Sequence, residues 1–119
     1  MSYVQGFLAA VPADRKEDYK RHAEAAWPIF ARLGCLSMQE NWGADVAPGK
    51  VTSFPQAVKL EEGEVVVFSW MIWPDRATCD AAWQKMMAEP DMMADMGEMP
   101  FDGMRMMWGG FEPLTSAAA

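Results

Sequence analysis

The chain has 119 residues, of which 51% are hydrophobic and 23% charged, a length that suits one domain and a composition that excludes disordered and fibrous classes. Its formal net charge of -7 argues against nucleic-acid partners and anionic membrane surfaces, because both are bound through clustered lysine and arginine. No apolar run approaches the roughly 18 residues that a membrane-spanning helix needs. The first residues lack the basic stretch of a secretory signal, so we expect a cytoplasmic protein.

The first half of the chain predicts a strand, a helix and a second strand. Residues 3–11 are rich in β-branched and aromatic side chains, which is typical of a strand. The following helix should begin near Asp14 and Glu17, which have the spacing of a capping box, and should end at Gly34. Residues 35–42 predict the second strand. The apolar stripe of the helix recurs at helical spacing, at Tyr19, Ala23, Ala26, Phe30 and Leu33.

The second half of the chain continues with strands and a second helix. Residues 51–58 predict a short, irregular strand that is interrupted at Pro55. The clearest strand of the sequence is 65–73, and Asp75 after it is positioned to cap the second helix. A helical turn at 90–96 and a last strand at 104–114 complete the predicted elements.

The order of these elements predicts an α+β fold, the ferredoxin-like βαββαβ sandwich, with an antiparallel sheet that carries both helices on one face. Residues 1–114 should form this single domain, and residues 115–119 a C-terminal tail that frays. Both faces of strand 65–73 are apolar, whereas two helices can cover only one face of the sheet. Because a monomer would leave a large apolar patch exposed, we predict a homodimer in which two sheets pack against each other.

Several short motifs, each weak alone, are specific in combination. They are Tyr3-Val4 with Gly6-Phe7, Glu40-Asn41-Trp42-Gly43, Val67-Phe68-Ser69-Trp70 and Met99-Pro100-Phe101-Asp102-Gly103. Through these motifs, nearly the whole chain resembles the YbaA-like family of small bacterial proteins of unknown function. The resemblance implies a ferredoxin-like domain of the dimeric α/β-barrel superfamily, and it brings no established activity, cofactor or catalytic residue.

Glu40 is the first candidate for a functional residue, because it lies on a predicted strand in phase with apolar neighbours. An interior Glu40 would have a raised pKa or an arginine partner, for which Arg105 on the last strand is the candidate. With Trp42 and Trp70 nearby, this pair would line a small-molecule pocket. We therefore predict ligand-binding roles for Trp42, Trp70, Arg105 and Glu40. The alternative is a structural ion pair at the sheet edge or the dimer interface.

His22, the only histidine in the chain, is the second catalytic candidate, since histidine alone normally titrates near neutral pH. Asp18 lies one helical turn before it and would orient His22 as a general base. The alternative is a surface histidine on a charged helix face, because His22 lies outside the apolar stripe.

The sequence favours neither a metal site nor a cofactor. A structural zinc site needs about four ligands, mostly nitrogen or sulfur, whereas the chain has one histidine and two cysteines. We expect both cysteines to be free, buried thiols. Nine of the 12 methionines lie within residues 86–107, a density that is compatible with Cu(I) ligation but more typical of flexible packing.

Two functions remain open from the sequence. The first is a homodimeric binding module that holds a small apolar or aromatic molecule between sheet and helices. The second is a cofactor-independent enzyme, oxygenase- or isomerase-like, in which the protein supplies an acid or base and a dry pocket. A titratable Glu40 or His22 that faces this cavity would favour the enzyme.

Overall fold

Strands and helices alternate along the chain in the order that the sequence predicts. The computed structural model describes residues 2–119. Its strands are β1 (Tyr3–Pro12), β2 (Ser37–Trp42), β3 (Glu64–Trp73) and β4 (Met107–Phe111), and its α-helices are α1 (Lys16–Arg32), α2 (Phe54–Ala57) and α3 (Arg76–Ala88). Short 3-10 helices occupy Ala13–Arg15, Pro90–Met96 and Gly103–Arg105. Within the described residues, no helix combines the length and the apolar character needed to cross a membrane.

The strands form an antiparallel sheet in the order β2-β3-β1-β4. β1 and β3 lie at its centre, paired from Tyr3 opposite Trp73 to Pro12 opposite Glu64, while β2 and β4 form the two edges. This arrangement confirms the predicted α+β, ferredoxin-like fold. Because β2 pairs with the sheet on one side only, its other side borders the space beside α1.

The face of the sheet that packs against α1 and α3 is called the inner face below. A core cluster joins Ile29 and Phe30 of α1 and Met86 of α3 to Met71 and Trp73 of β3. Full burial of such an apolar side chain stabilises the fold by about 1.5–3 kcal/mol. This cluster therefore holds both long helices on the sheet.

Gln5 of β1 is a buried polar residue on the inner face, only 8% exposed. Its Oε1 accepts hydrogen bonds from the indole N–H groups of Trp73 and Trp83, each at 2.9 Å. The single amide oxygen thus pairs two donors, one on β3 and one on α3, and ties that helix to the sheet.

The ends of the two long helices match the sequence prediction only in part. The predicted capping box is wrong: Asp14 lies in a 3-10 turn, and Arg15 at the start of α1 makes no side-chain capping bond. The predicted cap of α3 is confirmed, since the Asp75 carboxylate accepts the N–H of Thr78 at 2.7 Å. Gly34 follows α1 with a φ of +105°, and a Cβ there would lie 2.6 Å from Thr78 Cγ2, so both backbone and space require glycine.

The predicted strand at 51–58 is wrong, because these residues contain α2. The Ser53 hydroxyl caps this helix and accepts the N–H of Gln56 at 3.1 Å. Pro55, which interrupts a strand, lies in the first helical turn, where its missing N–H has no partner to lose. The Ser-x-Pro combination therefore begins a helix here.

The last strand is shorter than the predicted span of 104–114, since β4 begins only at Met107. The preceding residues form a 3-10 turn, in which the Asp102 carboxylate accepts the N–H of Met104 at 2.9 Å. The backbone N–H of Arg105 bonds to the carbonyl oxygen of the same aspartate at 3.2 Å. Asp102 therefore holds the chain in a turn and delays the strand.

The opposite face of the sheet, called the outer face below, is apolar as predicted and only partly covered. The segment after α2 closes one end, where Val58 packs with Ala10 and Val66. Elsewhere large side chains remain accessible to solvent: Phe68 is 43% and Phe111 60% exposed. The long helices therefore cover one face of the sheet and leave most of the other open.

Candidate functional site

A cavity of about 190 Å3, called the inner cavity below, lies between α1, the Pro90–Met96 segment and the inner face. Its walls are mainly apolar and include six methionines: Met38, Met71, Met93, Met96, Met99 and Met106. The polar side chains that line it are those of Tyr19, His22, Glu40 and Ser69. An apolar cavity with a few convergent polar groups is the usual form of a small-molecule site.

Glu40 reaches the inner cavity because strand alternation directs its side chain to the inner face. It lies directly opposite Ser69 in the register of β2 and β3. The Tyr19 hydroxyl, on the apolar stripe of α1, donates a hydrogen bond to Oε1 of Glu40 at 2.6 Å. An edge strand, a central strand and a helix thus each contribute one polar side chain to the same point.

Burial perturbs the titration of Glu40 in the direction that suits a base. It raises the pKa of Glu40 above its ordinary value of 4.5, and hydrogen bonding by Tyr19 and Ser69, with the charge of His22, offsets only part of that rise. Burial and the adjacent carboxylate also raise the pKa of Tyr19, so its phenol stays protonated and donates. A buried carboxylate whose pKa lies above its ordinary value is a stronger proton acceptor than an exposed one.

A second and more open space of about 550 Å3, called the outer cleft below, lies between α1 and β2. It shares four lining residues with the inner cavity: Tyr19, Ala23, Met38 and Glu40. Trp42 also lines the cleft, and Nζ of Lys16 lies 5.3 Å from the centre of its ring, within the range of a cation–π contact. Glu40 therefore borders both spaces.

His22 lines the inner cavity although it lies outside the apolar stripe of α1. Its Nδ1 donates a hydrogen bond to the carbonyl oxygen of Met96 at 2.8 Å. The predicted partner is wrong, because the Asp18 carboxylate binds Arg15 at 3.3 Å and also binds Arg21. A backbone carbonyl, rather than a carboxylate, therefore orients this histidine and links α1 to the segment that Met96 ends.

Arg105 binds Glu64, so the predicted pair with Glu40 is wrong. Two guanidinium nitrogens each lie 2.7 Å from an oxygen of the Glu64 carboxylate, and Nε lies 3.0 Å from Asp102. This bidentate contact holds the pKa of Glu64 below its ordinary value. The arginine ties the turn before β4 to the beginning of β3.

The two predicted tryptophans lie on opposite faces of the sheet. Trp42 pairs with Val67 and packs on the inner face, whereas Trp70 lies on the outer face with its ring centre 5.5 Å from that of Phe68. The structure thus brings Glu40 and Trp42 together and places Trp70 and Arg105 elsewhere. Ligand binding by any of these four residues stays a prediction.

The sequence prediction omits two polar residues of this site, Tyr19 and Ser69. Tyr19 belongs to the apolar stripe and so resembles a core residue, yet a buried tyrosine hydroxyl needs a hydrogen-bond partner. Ser69 is the polar exception among the positions of strand 65–73 that share its face. The sequence therefore contains a signal for each residue: the hydroxyl of Tyr19 within an apolar stripe, and the interruption of an apolar pattern by Ser69.

Metal ligands and thiols are the other reactive groups that the sequence analysis considers. Among residues 2–119, no group of three or more histidine, cysteine, aspartate and glutamate side chains is placed to hold a metal ion. Cys35 and Cys79 are free and buried, as predicted. Burial raises the pKa of both thiols, that of Cys79 to about 11, so neither has the lowered pKa of a nucleophilic cysteine.

Solved structures share the fold of this chain at low sequence identity. A dimeric ferredoxin-like protein from an uncultured marine organism has a TM-score of 0.60 at 11% identity and covers 98% of this chain and 100% of its own. SnoaB, a cofactor-independent oxygenase from Streptomyces nogalater, has a TM-score of 0.54 at 15% identity, covering 97% and 95%. Rv0793 from Mycobacterium tuberculosis has a TM-score of 0.55 at 17% identity, covering 99% and 100%. Likeness at these identities shows the fold alone.

Sequence similarity to proteins of unknown function extends over nearly the whole chain. The chain is 52% identical over 114 residues to the uncharacterized protein YbaA of Escherichia coli and of Shigella flexneri. The aligned region covers 96% of this chain and 97% of YbaA. Residues 2–103 match the family described as "Protein of unknown function (DUF1428)". The chain therefore belongs to the DUF1428 family, and the YbaA-like relationship that its motifs predict is confirmed.

Proposed function

We propose that this protein binds a small, largely apolar or aromatic molecule in the inner cavity and that Glu40 accepts a proton from it. The observation that carries the proposal is the Glu40 carboxyl group, which has a raised pKa, faces an apolar cavity and is fixed by the Tyr19 hydroxyl at 2.6 Å. A cavity that held only apolar side chains would instead favour a passive binding module.

The size and lining of the inner cavity define the class of ligand. A cavity of about 150 Å3 holds benzene, so the 190 Å3 present here suits one aromatic ring. Methionine and phenylalanine side chains favour such a ring, because thioethers pack well against aromatic edges. A phenol or an enol would add the acidic O–H group that Glu40 needs.

Proton transfer to a positioned carboxylate typically accelerates a reaction by about 10^2–10^4. The Tyr19 hydroxyl holds one oxygen of the Glu40 carboxylate in place. Because its pKa is raised, Tyr19 stays protonated and cannot itself take the proton of the ligand. An oxygenase-like or an isomerase-like reaction can each begin with such a deprotonation. The placement of Glu40 therefore supports the enzyme more than the passive module.

Binding of p-nitrophenol tests the proposal, because its phenol and phenolate forms absorb differently. We expect saturable binding to the wild-type protein and an affinity about fivefold to tenfold lower for Glu40→Gln, since a neutral amide replaces a charge-assisted hydrogen bond. Native mass spectrometry of freshly purified protein should in parallel identify any molecule that occupies the cavity.

Glu24→Gln is the matched control for this titration. Glu24 lines the outer cleft but not the inner cavity, so the same change of charge should leave the affinity for p-nitrophenol within twofold of wild type. Equal affinity of the wild-type and Glu40→Gln proteins would show that the ligand does not meet Glu40, and it would overturn the proposal.

We also propose that two copies associate through their outer faces into a homodimer. Phe68 and Phe111 are large apolar side chains on this face and remain accessible in the single chain. One solved protein with this fold is described as dimeric. A second copy of the sheet would cover the exposed rings, and each inner cavity would stay within its own subunit.

A cytoplasmic location is the remaining part of the proposal. The two cysteines are buried and unbonded, which fits a reducing compartment. The formal net charge of -7 fits a protein that binds neither nucleic acid nor anionic membranes. Cell fractionation with an antibody against the purified protein tests the location, and recovery with the periplasmic or membrane fraction would contradict it.

A further inference from the structure

The outer cleft carries two lysines whose charges have no ionic partner. Lys16 and Lys20 lie one turn apart on α1, and both line the cleft. Among residues 2–119, no carboxylate lies within 4.0 Å of either ammonium group. Ion pairs in this helix instead join Asp18 to Arg15 and Arg21. The cleft therefore presents two ammonium groups that remain free to bind an anion.

Aromatic surface accompanies these charges at one end of the cleft. The ammonium group of Lys16 lies 5.3 Å from the centre of the Trp42 ring, and Trp42 packs on the same core cluster as Tyr19. Trp27 and Met38, which form the other end, pack on a different cluster. Positive charge and an aromatic face are thus combined at the Trp42 end.

Besides Glu40, two further carboxylates line the cleft, those of Glu17 and Glu24. Glu24 follows Lys20 by one further turn of α1, toward Trp27, so it lies away from the Trp42 end. Glu17 adjoins Lys16 in the sequence and is exposed. Along α1, Lys16 with Glu17 therefore lies toward the Trp42 end of the cleft, Lys20 follows one turn later, and Glu24 lies toward the Trp27 end.

We propose that the outer cleft binds the anionic group of an aromatic acid, through Lys16 and Lys20, while the apolar part of the same molecule reaches Glu40. This inference rests on the proposed function and specifies its ligand as an amphipathic aromatic carboxylate or sulfonate. Lys16 binds the anion beside Trp42, Lys20 contributes a second positive charge, and Glu40 borders both spaces.

Two fluorescent probes with the same carbon skeleton test the inference. 8-Anilinonaphthalene-1-sulfonate is an anion, and N-phenyl-1-naphthylamine is its neutral counterpart. We expect Lys16→Gln and Lys20→Gln each to weaken binding of the anion by about threefold to fivefold, the effect of a surface ion pair. The neutral probe should bind all variants within twofold. Raising NaCl from about 0.05 to 0.5 M should weaken only the anion, through screening.

Lys85→Gln is the matched control, since Lys85 lies on α3 and does not line the cleft. Anion binding that is unaffected by both cleft lysines, or that responds equally to Lys85→Gln, would overturn the inference. The outcome is separable from that of the proposed function. If the lysine variants weaken anion binding but Glu40→Gln leaves p-nitrophenol binding unchanged, the anion site is retained and the role of Glu40 as a base is rejected. If Glu40→Gln weakens p-nitrophenol binding but the lysine variants have no effect, only the anion site is rejected.

Discussion

The two faces of the sheet differ in how far their side chains are buried and in how their polar groups are paired. On the inner face, polar groups are paired: Gln5 accepts two indole N–H groups, and Glu40 accepts the Tyr19 hydroxyl. On the outer face, large rings such as those of Phe68 and Phe111 remain exposed, and the polar side chains of Gln39 and Asn41 lie on the edge strand β2. The same strands therefore have one face on which buried polar groups are hydrogen-bonded and one face on which large apolar rings are exposed.

Desolvation explains why the two faces differ. A polar group in an apolar interior costs free energy unless it is hydrogen-bonded, so the inner face retains glutamine and glutamate only where a partner meets them. An exposed apolar surface is stabilised when another protein surface covers it, and this contact needs no hydrogen-bond partner. Substitutions on the two faces should therefore have different consequences for folding and association.

An aspartate on the inner face should abolish folding, whereas one on the outer face should not. Met71 is 4% exposed and lies in the core cluster with both long helices. A buried, unpaired carboxylate costs several kcal/mol, a large part of the roughly 5–15 kcal/mol of a whole domain. We expect Met71→Asp to lose its cooperative thermal transition by circular dichroism.

Phe68→Asp is the outer-face counterpart on the same strand. Because Phe68 is 43% exposed, the variant should keep its helical circular dichroism spectrum. In sedimentation it should shift from about twice 13.3 kDa to 13.3 kDa, since the charge would face the partner sheet. A wild-type protein that sediments as a monomer would contradict the homodimer, and a dimeric Phe68→Asp would place the interface elsewhere.

Gln5→Ala should destabilise the protein by about 2–4 kcal/mol, because two buried indole N–H groups lose their acceptor. The control is Gln39→Ala, whose amide lies on an exposed residue and bonds only to Asn41 at 2.8 Å. Urea unfolding should show a change below about 0.5 kcal/mol for the control. Equal losses of stability in the two variants would show that the buried hydrogen bonds of Gln5 contribute no more than the exposed one of Gln39.

Glu40→Gln should gain stability relative to wild type as the pH rises. The pKa of Glu40 is raised in the folded protein, so the folded state holds this proton more tightly than the unfolded chain does. Between the unfolded value of 4.5 and the folded value, ionisation therefore lowers the stability of the wild type. Glutamine does not ionise, and melting curves from about pH 4 to 8 should show the difference growing.

A pH-independent difference between these two proteins would contradict the burial of the carboxylate. Loss of stability at all pH values would instead indicate that the glutamine amide does not replace the hydrogen bond between Tyr19 and the Glu40 carboxyl group. Glu62→Gln, in an exposed turn, provides the control for removal of one negative charge.

The smallest effect concerns the two thiols. Denatured protein prepared without reductant should contain two titratable thiols, because Cys35 and Cys79 are unbonded. In the native protein both should react with a disulfide reagent far more slowly than glutathione does, since burial raises their pKa values. Fast labelling of the native protein would show that the inner face opens readily.

Local patterns predicted most of the fold, because they depend on neighbours in the sequence. The strand at 65–73 and the Asp75 cap follow from alternation and from a capping side chain. The 51–58 segment is the exception: Pro55 interrupts a strand pattern, but here it lies in the first turn of a helix that Ser53 caps.

The candidate site was harder to predict, because it depends on register. Alternation within β2 shows that Glu40 and Trp42 share a face, and alternation within β3 shows the same of Phe68 and Trp70. The pairing of Glu40 with Ser69 puts Glu40 on the face of β3 opposite to Phe68 and Trp70. The packing of Met71 against both long helices shows that this is the inner face. The partner of Arg105 likewise depends on a turn at the far end of the sheet.

The six methionines around the inner cavity also affect how the site can evolve. An unbranched thioether has three rotatable bonds, so it fills an irregular space by rotation rather than by movement of the backbone. The volume of the cavity is consequently set by side chains that leucine, which has a similar volume, can replace at a small cost in stability. Replacement of these side chains would change the shape of the inner cavity, while the hydrogen bond between Tyr19 and Glu40 would keep its place.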